Sequence, residues 1–210
     1  MRRVLTGLVA TVLVGLAAPS QAEIRALIVA ISEYTAPISS LEGPPNDAAA
    51  LAAVLRGEGA KDVVSLRDGA ATRSNIRREL QALGKRAKPG DWVIFFYAGH
   101  GAQARSADAS ETDGMDEFMV LGGFRSARPD PEQFILDDDL RGWLINFFPT
   151  SVNVLQIADA CHSGTMNRAV TRSIFKPRQA MPNALAIALP PGPKDPAARA
   201  PAGASPPNLV

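Results

Sequence analysis

The chain of 210 residues holds one cysteine, Cys161, and two histidines, His100 and His162. A single cysteine cannot close an intramolecular disulfide, and one thiolate with two imidazoles falls short of the four ligands of a structural zinc cage. Cys161 and His100 instead follow two apolar runs that end in polar, glycine-flanked turns. These are Phe95-Phe96-Tyr97-Ala98-Gly99-His100-Gly101 and Leu155-Gln156-Ile157-Ala158-Asp159-Ala160-Cys161-His162-Ser163-Gly164. In open parallel sheets, reactive groups gather just beyond the carboxyl ends of the strands. If the two strands are neighbours, imidazole and thiol face one another across one edge, and a base can polarise a thiol nucleophile. Gly99 and Gly101 let the backbone turn tightly and approach a substrate carbonyl. His162 follows Cys161 directly, so it projects to the opposite side and reads as a packing or hydrogen-bonding residue. A metal hydrolase built on Cys161, His162 and Asp159 is an alternative poorly supplied with ligands.

Short apolar runs alternating with segments of helical period must position these turns, the mark of an α/β domain. Strands are predicted over Ile24–Ile31, Asp62–Leu66, Asp91–Tyr97 and Val152–Ala158, and Phe118–Leu121 reads as a short hairpin arm. The unbroken apolar character of Asp91–Tyr97 fits a parallel strand covered on both faces. Asn46 and Asp47 are expected to cap a helix whose Leu51, Val54 and Leu55 share a face and which ends near Gly57 and Gly59. Thr72 opens a second helix, with Ile76, Leu80 and Leu83 inward and Arg77, Arg78, Glu79, Lys85 and Arg86 on a solvated face. Asp137, Asp138 and Asp139 cap a third, containing Leu140, Trp143, Leu144 and Phe147. Gly99–Glu117 is a long polar excursion of the kind that carries function.

Composition sets the outer limits. Twenty-two basic against 21 acidic residues give a net charge of +1, far from a nucleic-acid-binding surface, so no nucleic-acid partner is expected. Residues 1–22 read as a secretory signal. Arg2 and Arg3 precede an uncharged run from Val4 to Ala22, and Ser20 and Ala22 supply the small residues for cleavage before Glu23. The apolar stretch is shorter than the roughly 20 residues of a spanning helix, so an exported protein, periplasmic or secreted and off the membrane once the signal is removed, is expected. Residues 23–170 form the folded domain. From 171 to 210 the chain holds nine prolines and a single acid, Asp195, and reads as a disordered Pro/Ala-rich tail.

Tyr97-Ala98-Gly99-His100-Gly101 and Asp159-Ala160-Cys161-His162-Ser163-Gly164 together resemble the caspase and metacaspase group of cysteine peptidases, on the metacaspase side. Leu41-Glu42-Gly43 leading to Asn46-Asp47-Ala48, Thr112-Asp113-Gly114-Met115-Asp116-Glu117 and Asp137-Asp138-Asp139-Leu140 extend the resemblance in family order from about Arg25 to Thr165. It implies a caspase-like fold, a mostly parallel sheet flanked by helices, and a cysteine endopeptidase acting on polypeptides. Cys161 becomes the nucleophile and His100 the general base, with backbone N–H groups of Gly101 and Cys161 holding the oxyanion. A third, acidic orienting member is not evident. Two departures stand out: Ala98 occupies a position where relatives often have serine, and the proline-rich tail begins where such folds add sheet-completing strands. The second leaves open a truncated domain, one that needs a partner chain, or a catalytically weak binding or scaffold module.

Asp159 lies two residues before Cys161 and projects to the same side if strand geometry persists. The resemblance places Asp47 at the same substrate pocket, and two carboxylates favour Arg or Lys before the scissile bond. No cofactor is required by this chemistry. Asp113, Asp116, Asp137 and Asp138 offer calcium its preferred oxygen ligands, and related metacaspases bind calcium through acids at similar places. Where calcium-dependent relatives tend to carry a further acid this chain has Arg168, and the three aspartates from 137 could equally serve as helix-capping groups.

Overall fold

The computed structural model describes residues 21–105, 115–160 and 208–209. A five-stranded parallel sheet is built from β1 (Ile24–Ala30), β2 (Asp62–Arg67), β3 (Trp92–Ala98), β7 (Asn153–Asp159) and β8 (Asn208–Leu209), in the order β2-β1-β3-β7-β8. Three helices flank it: α1 (Pro44–Gly57), α2 (Arg73–Arg86) and α3 (Asp137–Phe147). A three-stranded antiparallel sheet, β4 (Gly101–Arg105), β5 (Met115–Val120) and β6 (Phe134–Leu136), follows β3. Strand order reverses between β1 and β3, and a crevice therefore opens beyond their carboxyl ends.

Alternation along each central strand feeds two cores. Ala26, Ile28, Ala30, Ile94, Phe96 and Ala98 meet Ala48, Ala52 and Leu55 of α1. Leu27, Val29, Ile31, Val93, Phe95 and Tyr97 meet Ile76, Leu80 and Leu83 of α2 and Leu140, Trp143 and Leu144 of α3. Both faces are covered, which is why β3 and, from Ala26 onward, β1 read as continuous apolar runs. A third cluster surrounds Phe118, Phe124 and Phe134, whose rings pack tilted or edge-on with centroids 5.8–6.4 Å apart.

Several boundaries depart from sequence expectation. Helix α1 begins at Pro44 with Gly43 as its N-cap, so Asn46 and Asp47 sit inside the first turn rather than capping it. Proline's fixed φ suits the first helical positions and brings the start forward. Its inward face is Ala48, Ala52 and Leu55, while Val54 is 61% exposed. Small residues on both sides let helix and sheet approach closely, and Val54 falls on the far side. The N-cap of α3 is Leu136, so the three aspartates occupy its first turn, where carboxylates still meet the positive end of the dipole. Thr72 caps α2 as expected, accepting the Asn75 N–H at 3.2 Å. The polar excursion contains β4, and the predicted hairpin arm is the centre of a sheet. Asn208 and Leu209, from the proline-rich tail, run beside Asn153 and Val154. Residues 1–20, which hold most of the signal, lie outside the described residues, as do 106–114 and 161–207.

Candidate functional site

The turn after β3 is fixed from three sides. Ala98 pairs with Ala30 of β1 and with Asp159 of β7, so β3 and β7 are neighbours ending in register. The Gly99 N–H donates to the Asp159 carbonyl at 3.3 Å, lashing the two turns together. A β-carbon at Gly99 would fall 2.6 Å from Tyr97 Oη and 2.7 Å from Tyr34 Oη, so only glycine fits between these hydroxyls.

His100 is 8% exposed, and each of its backbone polar groups is engaged. Its N–H donates to Tyr34 Oη at 2.9 Å. Its carbonyl accepts from Val120 N–H at 2.9 Å and from the Tyr97 hydroxyl at 2.7 Å. The Tyr97 hydroxyl also reaches the Val120 carbonyl, at 2.8 Å, and Tyr34 Oη donates to it at 3.2 Å. Because His100 and Val120 share a ladder bond, antiparallel alternation turns the Gly101 N–H away from β5, at the outer edge of that sheet.

The imidazole is oriented by the loop after β1. Its Nε2 lies 2.8 Å from the Ser39 carbonyl oxygen. A carbonyl only accepts, so Nε2 carries the hydrogen and Nδ1 holds the lone pair. The Tyr34 ring packs against the imidazole, with centroids 4.6 Å apart and planes inclined by 60°. Desolvation pushes the Tyr34 phenol well above its ordinary pKa, only partly offset by the hydrogen bond from the His100 backbone, so it stays a neutral hydroxyl. The loop is tied down in turn by Asp68, whose Oδ1 accepts the N–H groups of Ser32 at 2.7 Å and Glu33 at 2.8 Å. Asp68 adopts φ 44°, unusual for a residue with a side chain, and its two hydrogen bonds hold it there.

The residues expected from sequence are placed unevenly. His100, Gly101 and Asp159 lie at one edge of the main sheet. Asp159 continues the face of Leu155 and Ile157, which pack on the α1 side, and it is half-buried. Asp47, also half-buried, stands in the first turn of α1, which starts from the same carboxyl edge and covers the same face. The two carboxylates expected at a substrate pocket therefore share an edge and a face. Cys161, with its backbone N–H, lies outside the described residues, one position beyond the buried Ala160; so do His162, Asp113 and Arg168. Asp116 stands in β5, half-buried Asp137 and exposed Asp138 in the first turn of α3, and Asp139 binds Arg73 at 2.6 Å. No group of three His, Cys, Asp or Glu that could hold a metal ion occurs among the described residues. Asp113, the remaining acid of the expected calcium set, lies outside those residues.

Four contributors were missed in the sequence: Tyr34, Ser39, Asp68 and Tyr97. A tyrosine in a polar turn just past a strand was a usable signal for Tyr34. Ser39 acts through its carbonyl, which every residue type has.

The family model for the metacaspase, peptidase C14 domain matches residues 24–169. Metacaspase-1 of Kluyveromyces lactis is 32% identical over 151 residues, covering 68% of this chain and 34% of that protein. Metacaspase-1 of Cryptococcus neoformans is 34% identical over 150 residues, covering 67% and 32%. The chain thus spans about a third of the length of these curated relatives. A crystal structure of a Geobacter sulfurreducens protein superposes with a TM-score of 0.60 at 26% identity, covering 79% of this chain and 60% of that one.

Proposed function

Because the chain belongs to the metacaspase family of C14 peptidases, we propose that it is a cysteine endopeptidase cleaving after Arg or Lys, with Cys161 as nucleophile and His100 as base. The observation that carries this reading is the pairing of Ala98 with Asp159. It brings the histidine turn and the approach to Cys161 to adjacent strand ends, while the Ser39 carbonyl leaves His100 Nδ1 as the basic nitrogen.

In this reading Nδ1 takes the Cys161 thiol proton, and the Ser39 carbonyl steadies the imidazolium through Nε2–H. The thiolate attacks the scissile carbonyl carbon, and the N–H groups of Gly101 and Cys161 receive the oxyanion. The C–N bond then breaks as Nδ1–H protonates the leaving amine, leaving a thioester. Water, deprotonated by Nδ1, attacks that thioester and releases the new carboxyl end and the Cys161 thiol. Asp47 and Asp159 supply two carboxylates for a guanidinium or ammonium before the scissile bond, and a planar guanidinium can pair bidentately. Calcium takes no part in these steps; its proposed place, through Asp113, Asp116, Asp137 and Asp138, is modulatory. The setting is outside the cytoplasm, after loss of residues 1–22.

Turnover of Arg-, Lys- and Asp-ended fluorogenic peptides, with Cys161→Ala as the blank, tests this reading. Cleavage of the basic peptides alone is expected, and cleavage after Asp or retained turnover in the blank contradicts it. A binding module without turnover is the second reading. It is favoured by the proline-rich composition of residues 171–210, which stand where caspase-like folds add sheet-completing strands. Thiol labelling by a peptide probe that is equal in wild type and His100→Ala would favour that module.

A further inference from the structure

The edge of the sheet opposite the catalytic turns holds a charge network that the peptidase reading does not use. Asp91, 1% exposed, precedes β3. Its Oδ1 accepts the Glu23 backbone N–H at 2.9 Å, and its Oδ2 accepts the Lys88 N–H at 2.9 Å and Arg25 Nε at 3.3 Å. On its other side, the Glu23 carbonyl accepts the Trp92 N–H at 2.9 Å. The Glu23 backbone is thus clamped against a buried carboxylate at the residue that leader removal would make the first of the chain.

We propose that this edge is a socket for the α-ammonium of the processed chain, with the Glu23 nitrogen paired to Asp91. Hydrolysis of the Ala22–Glu23 amide by an export-associated endopeptidase breaks the C–N bond. Water's oxygen goes to the Ala22 carboxylate, and the Glu23 nitrogen becomes an ammonium. That nitrogen is already at hydrogen-bond distance, so processing adds a charge without moving the backbone. Gln21, Ala22 and Glu23 are exposed, and a cleft lined by Glu23, Glu58, Gly59 and Lys61 leaves water for the remaining ammonium hydrogens.

The charges around the socket favour a cation. Arg25 binds the carboxylates of Glu23, Asp62 and Asp91, and Arg86 binds Asp62 at 2.9 Å. Away from solvent, Asp62 and Asp91 therefore face the Arg25 guanidinium alone, and the ammonium removes the excess negative charge. Glu58, Lys61 and Lys88 are exposed, where solvent screens them. Burial pushes the Asp91 carboxyl up, but the N–H groups of Glu23 and Lys88 and the Arg25 guanidinium outweigh it, and Asp91 stays ionised.

The linkage has a defined sign. An α-ammonium ordinarily titrates near pH 7.7–8.0, and pairing with Asp91 raises that value in the fold. Its stabilisation is complete below about pH 7.7 and is lost as pH rises through the raised value. Asp62 and Asp91, held below the ordinary carboxyl value, and Arg25, held above the ordinary guanidinium value, keep their charges across this range.

The test compares the chain from Glu23 to Val210 bearing a free amine with the same chain Nα-acetylated, which keeps the N–H donor and loses only the charge. The free-amine chain is expected to melt about 2–4 °C higher at pH 7, with the gap closing by pH 10 and vanishing in Asp91→Asn. Equal melting at pH 7, or a gap that persists at pH 10, overturns the socket. Should Asp91→Asn fail to fold, the α-amine pKa read by NMR in the wild type decides: above 8.0 is expected, and an ordinary value refutes the pairing. N-terminal sequencing of the exported full chain should begin at Glu23, and another start overturns it. Peptidase kinetics should match in the free and acetylated chains, so failure here is distinguishable from failure of the peptidase reading.

Discussion

Ser39 and His100 are joined by one contact that sets which imidazole nitrogen carries the hydrogen. The Ser39 carbonyl oxygen, 2.8 Å from His100 Nε2, makes that nitrogen the donor and leaves Nδ1 as the acceptor, the atom that the proposed reaction uses as base. In the proposed reaction a neutral carbonyl fills the orienting role that an acid fills in many hydrolases, and it sits in a loop tied to Tyr34 and Asp68.

Tyr34→Phe keeps the ring against the imidazole but removes the acceptor of the His100 N–H and the donor to Val120. A loss of about 1 kcal/mol of stability is expected from the unpaired N–H, together with a fall in kcat/KM of roughly tenfold as the turn loosens. Denaturant unfolding and peptide kinetics check both, and kinetics equal to wild type would show that the ring alone positions His100.

Asp68→Ala leaves the N–H groups of Ser32 and Glu33 without their acceptor and frees the loop bearing Ser39. A drop in kcat larger than the rise in KM is expected, with partial rescue in Asp68→Asn, whose carbonyl oxygen accepts and which tolerates positive φ. Equal kinetics in all three chains would remove this loop from the positioning of His100.

Much of this architecture was readable from pattern, for identifiable reasons. The apolar runs over residues 26–30 of β1 and Trp92–Ala98 of β3, and the inward Ile76, Leu80 and Leu83 of α2, follow directly from burial and period. Strand β4, Gly-Ala-Gln-Ala-Arg, has none of the β-branched or aromatic residues that announce a strand, and pairing with β5 holds it. The start of α1 was displaced by Pro44 and Pro45. At the site, the adjacency of the His100 and Asp159 turns was legible, while the Ser39 contact was not, because a backbone carbonyl leaves no mark in residue type.

Asp62 and Asp91 make stability fall in acid. Burial raises both carboxyls, but the Arg86 and Arg25 guanidiniums at Asp62, and the Glu23 and Lys88 N–H groups with Arg25 at Asp91, hold both below the ordinary value. Their contribution is therefore present above about pH 4 and is lost as pH falls through the depressed values. Asp91→Asn should cost about 2 kcal/mol at pH 7, with a smaller difference at pH 3. A difference independent of pH would place the effect in packing.

Asp159→Asn separates substrate anchoring from thiol chemistry. Turnover of Arg-ended peptides is expected to fall at least about tenfold, on the scale of a lost charge-assisted pair, while alkylation of Cys161 by a small reagent changes little. Unchanged Arg-peptide kinetics would take Asp159 out of the substrate pocket.

Cys161 is the only cysteine in the chain, so the rate of alkylation against pH reports on the proposed nucleophile alone. With His100 as its base, the wild-type profile should inflect well below the ordinary thiol value of about 8.5, and His100→Ala should return it there. Coincident profiles for the two chains would contradict the pairing of Cys161 with His100.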